Sequence, residues 1–217
     1  MERNQAPPRS APASGARKLT PPSGGALAVF FIAAVLALAA DLVSKHVVFR
    51  DFLQTQGLPR QIQALKAGSS RPLSPQVVLR ALDLHKPLGA GLRLTASVNP
   101  GVVFGWSLPR PLVLLASVAM IGIVAVMLLH TQPGAHAQRV AIALVLAGAM
   151  GNLYDRLFSN VQLPGLEPIR YHVRDFIDAS ALHYPYVFNI ADIWLVVGVA
   201  FLLVRSLIPH RDKAKAS

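Results

Sequence analysis

No cysteine occurs anywhere in the 217-residue chain. That removes a disulfide framework, a thiolate metal site and a cysteine nucleophile at one stroke. Charge is scarce as well: charged residues make up 14% of the sequence, where a soluble domain carries about 25%. With hydrophobic residues at 53%, a bilayer rather than water is the expected main solvent. Aromatics stand at 7% and acidic residues number only ten. The seven histidines form no spacing of the HExxH kind, and no P-loop lysine follows Gly101 and Gly105. Neither a metal nor a cofactor is therefore expected. The formal net charge is +11, but the basic residues are spread over tails and loops and are not interleaved with aromatics. No nucleic-acid partner is expected; cationic flanks of membrane helices are the simpler explanation.

What is present is a set of four long apolar runs, at 25–44, 111–130, 139–157 and 187–208. Each is close to the roughly 20 residues that cross about 30 Å of hydrocarbon as a helix. The first run also resembles a cleavable leader with Ala37-Leu38-Ala39 before the cut, but it is longer than the usual apolar core of about 7–15 residues. Residues 1–24, rich in proline, alanine, serine and glycine, read as a disordered tail, and 209–217 as a basic tail. Between them, 25–208 reads as one membrane domain with two large outer loops, 46–110 and 158–186. In the first loop Leu92, Leu94, Ala96 and Val98 alternate with polar residues, the period of a strand. The expected fold is an all-α, four-helix transmembrane bundle with a small sheet on the non-cytoplasmic membrane surface. The basic tails put both termini in the cytoplasm.

Alternation of the spans sends the polar residues near their ends to one side. Asp41 and Lys45, four apart, share a helix face. Asn152, Asp155 and Arg156 end the third span, Asn189 and Asp192 begin the fourth, and Asn99 and Asp175 lie in the adjoining loops. Ionisable groups in a span are costly and usually face the bundle. Plain structural roles suit several of them: an Asp41–Lys45 ion pair, Arg156 anchored at headgroups, inter-helix bonds from Asn152 and Asn189. Asp155 reads as an ionised acceptor paired with its neighbour Arg156, and Asp178 as a solvated group. Asp192, about one turn inside an apolar span with no cation beside it in sequence, needs a partner from elsewhere, and a second carboxylate sharing a proton would serve. A proton-relaying transporter would distribute polar residues through the membrane's depth, which this chain does not; an assembly protein gives no reason for Asp192.

These residues fall into five ordered motifs: Asp41-Leu42-Val43-Ser44-Lys45, Asn99-Pro100-Gly101-Val102-Val103-Phe104-Gly105, Gly151-Asn152-Leu153-Tyr154-Asp155-Arg156, Val173-Arg174-Asp175-Phe176-Ile177 and Phe188-Asn189-Ile190-Ala191-Asp192. Together they resemble the lipoprotein signal peptidase (signal peptidase II) family over about residues 25–208. The resemblance implies an aspartyl endopeptidase with Asp175 and Asp192 as the catalytic pair. It implies that Asn99, Asn152, Arg156 and Asn189 hold substrate and orient that pair, supported by Asp41, Lys45 and Asp155. The implied reaction releases the signal peptide from a prolipoprotein by cleaving before its diacylglyceryl-modified cysteine, in a bacterial inner membrane. The implied partners are that substrate and membrane lipids, and the enzyme is expected to be a monomer. Pro100, Ile193, the long first loop and an insertion at 157–172 depart from the family pattern.

Overall fold

A computed structural model describes residues 24–208 except 104, 105, 108 and 133. The two tails and the Phe104-Gly105 end of the second motif lie outside the described residues. In chain order the elements are α1 (Gly24–Leu53), α2 (Leu58–Ala67), α3 (Pro75–Ala81), β1 (His85–Gly89), β2 (Leu92–Asn99), β3 (Val102–Val103), β4 (Trp106–Ser107) and α4 (Arg110–Leu129). There follow α5 (His136–Phe158), β5 (Asn160–Val161), β6 (Ile169–Arg170), β7 (Val173–Asp178), β8 (Val187–Phe188) and α6 (Ile190–Leu207).

Four helices are long and apolar enough to cross a membrane: Leu27–Leu53, Pro111–Leu129, His136–Phe158 and Ile190–Leu207. α5 is the central one. Its apolar window is 56% buried, against 22% for α1, 6% for α4 and 11% for α6, so the other three present their outer faces as lipid-facing helices do. Small residues explain this position. A Cβ added at Gly148 would stand 2.5 Å from the Ala191 carbonyl oxygen, and one at Gly198 would stand 2.7 Å from that of Ala141. α5 and α6 thus touch backbone to backbone, the close approach that small residues permit between membrane helices.

α1 runs nine residues past the apolar stretch that ends at 44, reaching Leu53. The polar sequence Ser44–Arg50 stays helical because Phe49 and Phe52 continue a buried stripe, each no more than 3% exposed. They enter a second core outside the bundle, where the long first loop meets residues 157–172. Leu58 and Ile62 of α2 and Val78 and Leu79 of α3, all from the long first loop, pack with Val161, Leu163 and Ile169, which follow α5. Lys66 adds a bond to the Gly165 carbonyl at 2.9 Å. The first loop and the segment after α5 are one folded unit.

The sheet has order β1-β2-β7-β8, all pairs antiparallel. β2 occupies Leu92–Asn99, where the alternation places it. Its pairing with β7 jumps from Leu94↔Ile177 to Ser97↔Asp175, an irregularity at Thr95–Ala96. A bulge of this kind re-aims the strand, and beyond it Ser97 and Asn99 flank the segment that carries Asp175.

Candidate active site

The site forms where β7 crosses the ends of α5 and α6. Asn189 caps α6: its side chain accepts the Asp192 backbone N–H at 3.1 Å, and Oδ2 of Asp192 accepts the Asn189 backbone N–H at 3.1 Å. This reciprocal capping box fixes the Asp192 carboxylate in the first helical turn. The remaining Asp192 oxygen, Oδ1, accepts the amide of Asn152 from α5 at 2.8 Å. Asn189 also donates its amide to Oδ1 of Asp175 at 2.6 Å and to Oδ1 of Asn152 at 3.2 Å. One asparagine therefore ties together the helix of one aspartate and the carboxylate of the other.

Asp175 is 4% exposed. Burial pushes its carboxyl up and the neighbouring charge of Asp192 pushes it further, against hydrogen bonds from Asn189 and Asn99, leaving it at about 7. It therefore takes a proton near neutrality far more readily than an ordinary carboxyl, while sitting beside a second acid. Asn99 is held in turn by the Gly101 backbone N–H, which its Oδ1 accepts at 3.0 Å.

Behind this pair lies a buried ionic network. Lys45 donates to Asp41 at 2.8 Å and to Asn152 Oδ1 at 3.2 Å, and lies 3.3 Å from Asp155. Both Asp41 and Lys45 are fully buried. Oδ1 of Asp41 accepts the Ala191 backbone N–H at 2.9 Å, pinning the start of α6 to α1. Gly151 is required here, since a side chain at that position would run into the Asp41 carboxylate.

The structure thus brings Asp41, Lys45, Asn99, Asn152, Asp155, Asp175, Asn189 and Asp192 into one connected cluster. It extends one expectation and corrects another. The charge of Asp155 acts on Arg156, and Asp155 also has Lys45 and Arg174 as partners, the latter donating from Nε at 3.0 Å and Nη2 at 2.7 Å, with the Arg174 backbone N–H at 3.0 Å. Asp178 is not solvated. It is 9% exposed and pairs with Arg93 at 2.6 Å on the adjoining strand. Burial pushes its carboxyl up, but bonds from Ser180 and Arg93 outweigh that and hold it below the usual range.

Arg156 faces a cavity of about 300 Å³ between α4, α5 and α6, lined by Gly101, Val113, Ser117, Asn152, Leu195 and Asp192. A second cavity of about 350 Å³ lies on the other side of Asp192, lined by Leu92, Leu182, Tyr184, Phe188 and Val196. Asp192 is the residue common to both. Among the described residues, no group of three or more His, Asp or Glu side chains is arranged to ligate a metal.

A family model described as signal peptidase (SPase) II matches residues 33–208. The lipoprotein signal peptidase of Geobacter sulfurreducens is 35% identical over 144 residues, covering 62% of this chain and 82% of that protein. Those of Bacillus subtilis and Escherichia coli K12 are 29% and 27% identical, covering 86% and 82% of this chain and 98% and 89% of their own lengths. A bacterial membrane enzyme solved by the in meso method at 2.3 Å superposes with a TM-score of 0.61 at 20% identity, covering 88% of this chain and 94% of that one. At that identity it speaks for the fold.

Proposed function

The chain belongs to the signal peptidase II family, and on that premise we propose that Asp175 and Asp192 are the catalytic carboxylates with which it cleaves its substrate. The protein is a multi-pass membrane protease that removes signal peptides from prolipoproteins. In the reading proposed here it is of the aspartyl type. Asp192 takes a proton from water, and the water attacks the carbonyl carbon of the residue preceding the diacylglyceryl-modified cysteine. Asp175 gives its proton to the carbonyl oxygen as that oxygen gains charge. The tetrahedral intermediate then collapses: a hydroxyl of the gem-diol returns its proton to Asp175 as the carbonyl re-forms, the C–N bond breaks, and the proton gained by Asp192 passes to the leaving amine.

The observation that carries this assignment is Asn189 bonding Asp175 at 2.6 Å while capping the turn that holds Asp192. It presets two acids from different elements, with opposite roles, around one point. Burial and the charge of Asp192 raise Asp175 to about 7, which suits an acid working near neutrality. The two apolar cavities meeting at Asp192 suit a substrate with two apolar arms, a signal helix and a diacylglyceryl group. Asn99, Asn152, Asn189 and Arg156 hold and orient; Asp41, Lys45 and Asp155 support. Both termini are cytoplasmic, the sheet and site lie at the opposite membrane surface, and the working unit is a monomer among membrane lipids.

The test is cleavage by purified protein of a prolipoprotein presented with and without its diacylglyceryl group. Cleavage of the lipidated form alone, with release of the signal peptide, is expected. Equal cleavage of both forms overturns the lipid requirement. Loss of activity with a chelator and recovery with zinc overturns the two-aspartate chemistry. Reporter fusions after Ser69 and Pro164 should both report the non-cytoplasmic side.

A further inference from the structure

Arg174 lies next to Asp175 on β7, so the two side chains leave opposite faces of the strand. The Arg174 guanidinium, 14% exposed, grips fully buried Asp155 through two nitrogens. Asp155 also holds Lys45 at 3.3 Å. Lys45 bonds Oδ1 of Asn152, and Asn152 donates to Asp192. An unbroken polar chain therefore runs from Arg174, through three buried side chains, to one of the two reacting carboxylates.

The charges facing this cluster come from every element packed on it: Asp41 and Lys45 from α1, Asp155 and Arg156 from α5, Arg174 and Asp175 from β7, Asp192 from α6. Three cations face four carboxylates, so the cluster is neutral when those four hold one proton between them. The cluster is neutral in the one protonation state that the chemistry needs. Resting on the assignment of Asp175 and Asp192 as the working pair, we propose that Arg174 is a positioning residue that sets their pH window. It does so by supplying the third positive charge and by keeping Lys45 free to orient Asn152.

Without Arg174 the same protonation state carries a net negative charge, which favours an extra proton. Lys45 is also drawn to Asp155 and away from Asn152, which disturbs the reacting group more than the substrate-binding surfaces.

The experiment is the kcat–pH profile on lipidated prolipoprotein for the full chain and for Arg174→Gln, Arg174→Lys and the double variant Arg174→Gln/Asp155→Asn. In Arg174→Gln both midpoints should rise by about one pH unit, the scale on which removing a nearby unit charge acts at an effective dielectric of about 20, and kcat should fall more than KM rises. Arg174→Lys should keep the parent midpoints. The double variant, losing one charge of each sign, should move back toward them. Midpoints do not depend on enzyme quantity, so a poorly accumulating variant can be read in membrane vesicles. Arg174→Gln with lower yield but unmoved midpoints overturns the inference and leaves a purely structural arginine. If the unaltered protein shows no two-limbed profile, or Asp175→Asn still turns over, the two-carboxylate assignment fails and this inference with it. A two-limbed profile, an inactive Asp175→Asn and unmoved Arg174→Gln midpoints reject this inference alone.

Discussion

Asn189 and Asp175 are joined at 2.6 Å, Nδ2 to Oδ1, across the gap between the start of α6 and strand β7. The other face of the same side chain caps α6 by accepting the Asp192 N–H. The two tasks can be separated. Asn189→Ala loses both, and the cap alone is worth about 1 kcal/mol. Asn189→Ser restores a capping oxygen but not the amide donor. Thermal unfolding should recover in the serine variant, while turnover should stay about 10- to 100-fold low, the usual cost of a lost bond to an acid group. Equal recovery of both would mean that the bond to Asp175 does nothing for the chemistry.

Asp175→Asn and Asp192→Asn should each remove nearly all turnover while the protein still accumulates in the membrane. Asparagine keeps size and polarity but neither accepts nor shares the proton. Asp178→Asn makes the comparison informative because it sits three residues along the same strand. Its bonds are to Arg93 and Ser180, which join sheet to loop. It should lose stability and retain most turnover. Cleavage by Asp175→Asn near the parent rate sinks the assignment.

The pH dependence follows from the raised carboxyl of Asp175, at about 7. As pH rises through that value the acid is lost, so kcat should fall on the alkaline side. Stability moves the same way. A carboxyl whose folded pKa is raised binds more protons folded than unfolded, so its contribution is whole below about 4 and is lost as pH climbs to about 7. Asp175→Asn should flatten that slope in thermal melts recorded from pH 4 to 8. An unchanged slope would place the titrating group elsewhere.

How much of this was legible beforehand differs by residue. The four apolar runs and the alternation at Leu92–Asn99 stand out because burial imposes a period on contiguous sequence. The motif residues stand out because each motif is local. Partners are not local. Arg174 reaches Asp155 across 19 positions, and only the crossing of β7 over α5 creates that pair. Helices α2 and α3 span 10 and 7 residues, too short to persist without tertiary packing. What they pack on is the segment after α5, which no pattern within the first loop could announce.

Asp155 ties α1, α5 and β7 through Lys45 and Arg174. Asp155→Asn leaves Lys45 buried with one carboxylate fewer, and breaking a buried ionic group by removing one partner typically costs about 3–5 kcal/mol. Membrane accumulation and melting temperature should drop at least as much as turnover. A fully stable but completely inactive Asp155→Asn would shift the catalytic role to Asp155 with Asp192.

The contact between α5 and α6 is expected to hold the site together. A methyl at Gly148 would sit 2.5 Å from the Ala191 carbonyl oxygen and 2.7 Å from Leu195 Cγ. Real contacts are never that short, so α6 must move, and Ala191 lies between the two residues that form the capping box. Its own N–H is fixed to Asp41 at 2.9 Å, so the strain passes to Asn189 and Asp192 on either side of it. Gly148→Ala should therefore cut turnover sharply although no polar group is altered. Gly122→Ala on α4, where nothing lies within 4 Å of the new methyl, is the matched control. It should be neutral or slightly stabilising, since alanine favours a helix over glycine by about 1 kcal/mol. If Gly148→Ala matches Gly122→Ala in both turnover and melting temperature, the α5–α6 spacing does not hold the carboxylates in place.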